Sequence, residues 1–242
     1  MYVHPLAEEM NKSRRMAALQ ARAMADAGWS VLQIDLFGCG DSDGDFADAD
    51  WQQWRTDVSD AANWLHLQTG HTPALWGLRA GCLLACEVAG EMNPAPDLLF
   101  WQPALSGRQT LQQFLRMKVA SQLFKDSTPD RMSTKQLHDV LSRGDSVEVA
   151  GYALSSGLAM GLDASELEPP VTSARVAWLE VRSDAPAEIS PAASARIHVW
   201  RAAGHAVNGG AVTGAAFWQT QEIAECPELI DATLALVADW RT

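Results

Sequence analysis

Basic residues are scarce in this chain: 18 lysines and arginines face 30 aspartates and glutamates, leaving a net charge of −12. A nucleic-acid surface needs a basic stripe, so that class of partner is excluded. Long apolar runs are missing as well, and none approaches the roughly 20 residues that span a bilayer. The N-terminus lacks the basic, apolar, small-residue order of a secretion signal, which places the chain in the cytoplasm by expectation. Cysteine is sparse. Cys39, Cys82, Cys86 and Cys226 show neither CxxC spacing nor disulfide density, so they read as reduced thiols, with no metal or cofactor expected.

What is present is an ordinary globular composition, 48% hydrophobic and 20% charged over 242 residues, enough for a full core. Short apolar segments alternate with helical patterns. "YVH" (2–4) reads as the end of a strand that is mostly missing, "SVLQIDL" within 29–36 reads as a buried strand, and "ALWG", "DLLFWQP" (97–103), "ARVAWLEV" (174–181) and "ARIHVW" (195–200) read as further strands. Between them, "KSRRMAALQARAMADAG" carries Met16, Leu19, Ala23 and Ala27 at helical spacing, and "DWQQWRTDVSDAANWLHLQTG" carries Trp51, Trp54, Val58, Ala61 and Leu65. "PELIDATLALVADW" closes the chain as a helix opened by proline. Such alternation predicts a mostly parallel sheet covered by helices on both faces. Residues 105–168 break the rhythm with helix-like, polar sequence and no clear strand. They are expected to form a helical cap on a core made of 1–104 and 169–242.

The decisive stretch is "ALWGLRAGCLLACEVA" (74–89), a strand, a glycine-flanked turn and a helix. This is how an α/β-hydrolase builds its nucleophile elbow, Gly-x-Ser-x-Gly. Gly77 and Gly81 are in place because close strand-to-helix packing leaves no room for a Cβ on either side. The central residue, however, is Arg79. A guanidinium stays protonated in proteins, so it is neither nucleophile nor general base. At a helix N-terminus it adds charge to the positive end of the dipole and suits a carboxylate, a phosphate or one of the protein's own acids. An unpaired buried cation would cost several kcal/mol, so a partner is required: Asp184 first, with Glu8 and Glu9 as alternatives.

The remaining machinery is expected in the order nucleophile, acid, histidine. Asp184 follows the strand "VAWLEV", and His205 follows the segment read as the strand "IHVW". Both would then lie at carboxyl ends of strands, where open α/β sheets bind ligands. Glu180 competes with Asp184 but lies inside its strand. Backbone donors of oxyanion type are expected from Ala80, just after the elbow residue, and from Leu6 or Ala7 in "HPLAEEMNKSRR". Ser42 in "GDSDG" resembles another esterase block, but no Asp stands three residues before His205, so the loop reads as a turn.

At these motifs, "HPLAEEMNKSRRM", "IDLFGCGDSDGDF", "LWGLRAGCLLA" and "FWQTQEIAECPELIDATL", the chain resembles the exosortase A system-associated hydrolase 2 family. The resemblance covers nearly the whole sequence. It implies an α/β-hydrolase fold and a setting in exosortase and PEP-CTERM exopolysaccharide loci, and its elbow carries Gly-Leu-Arg as here. The family begins with further strands before "HP", which implies a truncated N-terminus here and an exposed edge at 29–36 open to homodimer pairing. Three functions stay open. One is a protein that binds a small acyl or anionic ligand without serine-type hydrolysis. Another is an ester, thioester or acyl-carbohydrate hydrolase whose water is activated by His205 and Asp184. The third is a structural component of the exopolysaccharide machinery, with the cap as its contact surface.

Overall fold

The computed structural model describes residues 1–122, 131–172 and 174–241, which fall into two compact units. Unit one comprises Met1–Ile34, Asp60–Leu105 and Leu167–Thr242. It holds a five-stranded, all-parallel sheet in the order β1 (Tyr2–Val3), β2 (Leu75–Leu78), β3 (Leu98–Trp101), β6 (Arg175–Arg182), β7 (Ala206–Thr213). β2 and β3 are buried at every position, as parallel strands covered on both faces must be. One face packs on α1 (Glu8–Asp26) and α8 (Pro227–Val237) through Met16, Trp76, Trp101, Leu179, Phe217 and Leu229. The buried face of α1 is Met10, Ser13, Met16, Ala17, Gln20 and Met24, rotated from the expected Leu19, Ala23 and Ala27. The sheet and its α/β alternation agree with the fold read from the sequence.

Two segments exchange roles relative to that reading. Residues 195–200 form no strand; they lie in α7 (Pro191–Ala202), whose N-cap Ser190 accepts from the Ala193 amide and whose first residue is proline. The last strand is instead β7, "AVNGGAVT", which pairs with β6 over eight positions from Arg175↔Ala206 to Arg182↔Thr213. Two mid-strand glycines hide it from propensity. Gly209 has a structural reason, since a Cβ there would come within 3.1 Å of Ile189 and Ile197. Residues 29–36 also fall short of a strand. They make one bridge, Tyr2↔Gln33, because β1 is two residues long and offers a single rung.

Unit two comprises Asp35–Ser59 and Ser106–Glu166. It contains α4 (Gly107–Gln122), α5 (Thr134–Ser142) and α6 (Ser156–Ala164), together with the first turns of α2 (Trp51–Thr69). Contrary to the strandless reading, β4 (Val147–Val149) and β5 (Tyr152–Leu154) pair antiparallel. Their two-residue turn places Ala150 at φ 50° and Gly151 at φ 87°. Tight hairpins need positive φ at both turn positions, and alanine is a poor advertisement for it. Ser155 donates to the Ala49 carbonyl, and the Phe46 and Tyr152 rings meet edge-on at 5.2 Å, tying the two stretches of this unit together, while the Trp54 indole closes the first stretch by donating to the Phe37 carbonyl at 2.9 Å.

Candidate functional site

The elbow forms where β2 turns into α3 (Ala80–Glu91). Arg79 is the N-cap of α3 at φ 55°, ψ −119°, left-handed backbone that a side chain adopts only when its surroundings over-determine it. They do so here. The Arg79 amide donates to the Trp101 carbonyl at 3.1 Å, and its carbonyl accepts from the Cys82 and Ala104 amides at 3.1 Å each. The flanking glycines are obligatory on steric grounds. A Cβ on Gly77 would lie 2.6 Å from Cys82 Cα, and one on Gly81 would lie 2.3 Å from the Val3 carbonyl oxygen.

A second turn of the same kind stands beside it, after β1. Ala7 caps α1 at φ 50°, ψ −124°, nearly the conformation of Arg79. Gly81 is the contact between the two turns, since its missing Cβ also faces the His4 carbonyl oxygen at 2.6 Å. Leu6, Ala7 and Ala80 are all buried. The first amides of a helix have no acceptor inside it, so two helix N-termini present donors at this end of the sheet.

Arg79 finds its partner in Glu9, in the first turn of α1: Nε donates to Oε1 at 3.3 Å, with the side chains 16% and 23% exposed. Desolvation holds the Glu9 carboxyl above its ordinary pKa, against the opposing pull of Arg79, Gln219 and Lys12. The guanidinium carbon also lies 5.8 Å from the centre of the Trp218 ring, within cation–π range. Trp218 is 4% exposed, and its indole N–H has no hydrogen-bond acceptor among the described residues. The tail after β7 thus brings Trp218 and Gln219 to the elbow, with Lys12 Nζ donating to the Gln219 carbonyl at 3.3 Å.

Asp184 follows β6 at the same, carboxyl end of the sheet, but it is exposed and pairs with the Ser183 hydroxyl at 3.3 Å rather than with Arg79. Glu180 is spoken for: its carboxylate accepts from the amide and the hydroxyl of Ser190, fixing the start of α7. His205 is at the other end altogether. It precedes β7, whose first residue is opposite Arg175 at the start of β6. Its Nδ1 accepts from the Ala174 amide at 3.2 Å, and its Nε2 lies 3.1 Å from the Pro170 carbonyl. Both ring nitrogens serve the fold, and a full strand length separates them from Asp184. The expected pairing of His205 with Asp184 therefore does not form. Its cause is the exchange of α7 and β7, which moved His205 from after a strand to before one.

Of the six histidines, His4 alone follows directly on a sheet strand at the elbow end, but it is 3% exposed and its Nδ1 pairs with the Pro5 carbonyl at 2.8 Å. The nearby thiols are no substitute nucleophiles. Burial drives the Cys82 thiol well above its ordinary pKa and pushes Cys86 up to about 12, so neither supplies thiolate at neutral pH. Among the described residues no cluster of three or more His, Cys, Asp or Glu could hold a metal ion. Sequence reasoning missed Trp218 and Gln219; the signal was the aromatic pair "FW" directly after the unrecognised last strand.

No family model matches this sequence, and no curated protein matches it. Solved structures do. Est1E from Butyrivibrio proteoclasticus, determined with ferulic acid bound, superposes with a TM-score of 0.67 at 14% identity, covering 98% of this chain and 88% of that one. DcsB in complex with its substrate analogue gives 0.60 at 14% identity, covering 98% and 89%. A monoacylglycerol lipase from Paleococcus ferrophilus gives 0.56 at 18% identity, covering 98% and 93%. This chain has the α/β-hydrolase fold, and lipolytic enzymes are among its structural neighbours. Among the described residues no helix is long and apolar enough to cross a membrane.

Proposed function

We propose that this chain is a hydrolase-fold protein that binds a small acyl or anionic ligand at its elbow without serine-type hydrolysis. The observation that carries the reading is Arg79 itself, held at the nucleophile position with φ 55° and clasped by Glu9. The elbow backbone is intact, so the geometry that normally aims a nucleophile now aims a guanidinium. Around it stand donors: the remaining guanidinium N–H groups, the Trp218 indole N–H, and the N-terminal amides of α1 and α3. Such an array suits a carboxylate or phosphate, and an acyl chain carrying one is the ligand class closest to the fold's esters. A water-activating His205–Asp184 dyad lacks support, since the two residues stand at opposite ends of the sheet. The resemblance of its motifs to those of exosortase A system-associated hydrolases supports an exopolysaccharide setting for the ligand.

Activity-based labelling tests the loss of chemistry. A fluorophosphonate probe, which traps activated serines, is expected to leave the native protein unlabelled while labelling an active esterase in the same tube. Stoichiometric labelling of any serine would overturn the proposal.

A further inference from the structure

Before any ligand arrives, the elbow already holds one cation and one anion. Arg79 Nε donates to Glu9 Oε1 at 3.3 Å, with the two side chains 16% and 23% exposed. The other groups around Glu9 leave that balance unchanged. Lys12, on the same helix, lies 3.0 Å from Glu8 and donates to the Gln219 carbonyl, so its charge is matched by Glu8. Arg14, exposed on α1, acts on Tyr2. The Gln219 side chain, from the tail after β7, donates to the Glu9 carboxylate and is neutral. From β1 the Tyr2 phenol faces Glu9, and burial raises its pKa and keeps it protonated. The Cys82 thiol beside Arg79 is neutral for the same reason. A second anion at the guanidinium therefore brings a negative charge that nothing in this set offsets.

Donors remain for that second anion. Among the described residues, Nε alone of the three guanidinium nitrogens hydrogen-bonds to the protein. Trp218, its ring centre 5.8 Å from the guanidinium carbon, is 4% exposed, and its indole N–H has no acceptor among the described residues. Glu9 is at the same time poised to give up its charge. Desolvation holds its carboxyl above the ordinary pKa even against Arg79. A second carboxylate beside it raises that value further, because two like charges sharing one site do not both stay ionised. A protonated carboxyl also gains an O–H donor that a carboxylate lacks.

Resting on the anion-binding reading of the elbow, we propose that it takes a monoanionic carboxylate together with one proton, drawn from solvent, which settles on Glu9. The neutral Glu9 donates its O–H to the ligand carboxylate, and Arg79 carries the one negative charge that remains. The site thus holds one cation and one anion before binding and after it. A phosphate dianion breaks this balance, since a single proton on Glu9 leaves one negative charge in excess.

Calorimetric titration with octanoate, repeated in buffers of different ionisation enthalpy, counts the protons taken up on binding. The count runs from about pH 6, where octanoate is ionised, to about pH 9. The native protein is expected to take up, at its maximum, between about half and one proton per octanoate, and its affinity to fall as pH rises wherever uptake occurs. Glu9→Gln, already neutral, should bind octanoate with uptake near zero. Octyl phosphate, dianionic near about pH 8, should bind the native protein at least tenfold more weakly than octanoate. Octanoate binding that depends on Arg79 but takes up less than about half a proton at every pH overturns the proposal and leaves the anion-binding reading standing, with Glu9 displaced as an ion. Uptake that persists in Glu9→Gln overturns it too, as does octyl phosphate binding as tightly as octanoate. A native protein that binds no octanoate fails the anion-binding reading itself, and the proposal with it.

Discussion

Replacing Gly81 with alanine probes the elbow where its tolerance is smallest. The new Cβ would meet the Val3 carbonyl oxygen at 2.3 Å and the His4 carbonyl oxygen at 2.6 Å, both of them backbone. Relief to an ordinary contact near 3.4 Å means parting α3 from β1 by about 1 Å. Overpacking of this kind costs typically 1–3 kcal/mol, and with no side chain able to yield, about 3 kcal/mol is expected. In a chain of this size that corresponds to a melting temperature lower by roughly 6–12 °C. Gly90 in the same helix is the control: a Cβ there has its nearest neighbour, on Pro170, at 3.8 Å. Gly90→Ala should be neutral or stabilising by up to about 1 kcal/mol, since alanine is the better helix former. Urea denaturation of the three proteins gives the comparison. A Gly81→Ala variant within 0.5 kcal/mol of the parent (about the noise of a surface substitution) would show that the turn is not packed as described.

Arg79→Ser should gain less than about tenfold in hydrolysis of p-nitrophenyl acetate, because positioning errors alone cost about 100-fold and no imidazole faces the elbow from the β7 tail; a gain above 100-fold would refute this. His205→Ala should destabilise by about 2 kcal/mol, leaving the buried Ala174 amide without its acceptor, while ligand binding at the elbow is unchanged. Glu9, with its folded pKa raised above the ordinary 4.5, contributes stability that is full below that value and lost as pH rises through the raised one. Glu9→Gln should therefore flatten the fall in stability as pH rises above the ordinary carboxyl value of 4.5, and identical slopes for parent and variant would contradict the desolvation argument.

The elbow was legible because its signal is local. Two glycines four residues apart, between a short apolar strand and an alanine-rich helix, carry their steric reason with them, and the structure places both against backbone atoms. The parallel sheet was legible for the same reason, from runs such as "LLFW" that are buried on both faces. The error began at 191–213. There, Ile197 and Trp200 bury the inner face of α7 while Val199 stays 46% exposed, so β-branched residues that suggest a strand are spent on a helix. The Ser-Pro pair at 190–191 was the contrary evidence, as the start signature of a helix. Because the strand and the helix changed places, His205 changed ends of the sheet. Arg79's partner was a matter of tertiary distance: the need for an acid follows from charge, but only the fold selects Glu9, 70 residues away, over Asp184.

The central claim is that Arg79 has turned a nucleophile elbow into an anion-binding one, and calorimetric titration with octanoate measures it most directly. Octanoate is a carboxylate on an acyl chain, matching the donors at Arg79, Trp218 and the two helix N-termini. The native protein is expected to bind it saturably, and Arg79→Met to weaken it at least tenfold while Asp184→Asn and His205→Ala leave the affinity unchanged. Equal octanoate affinity in native protein and Arg79→Met would contradict the claim.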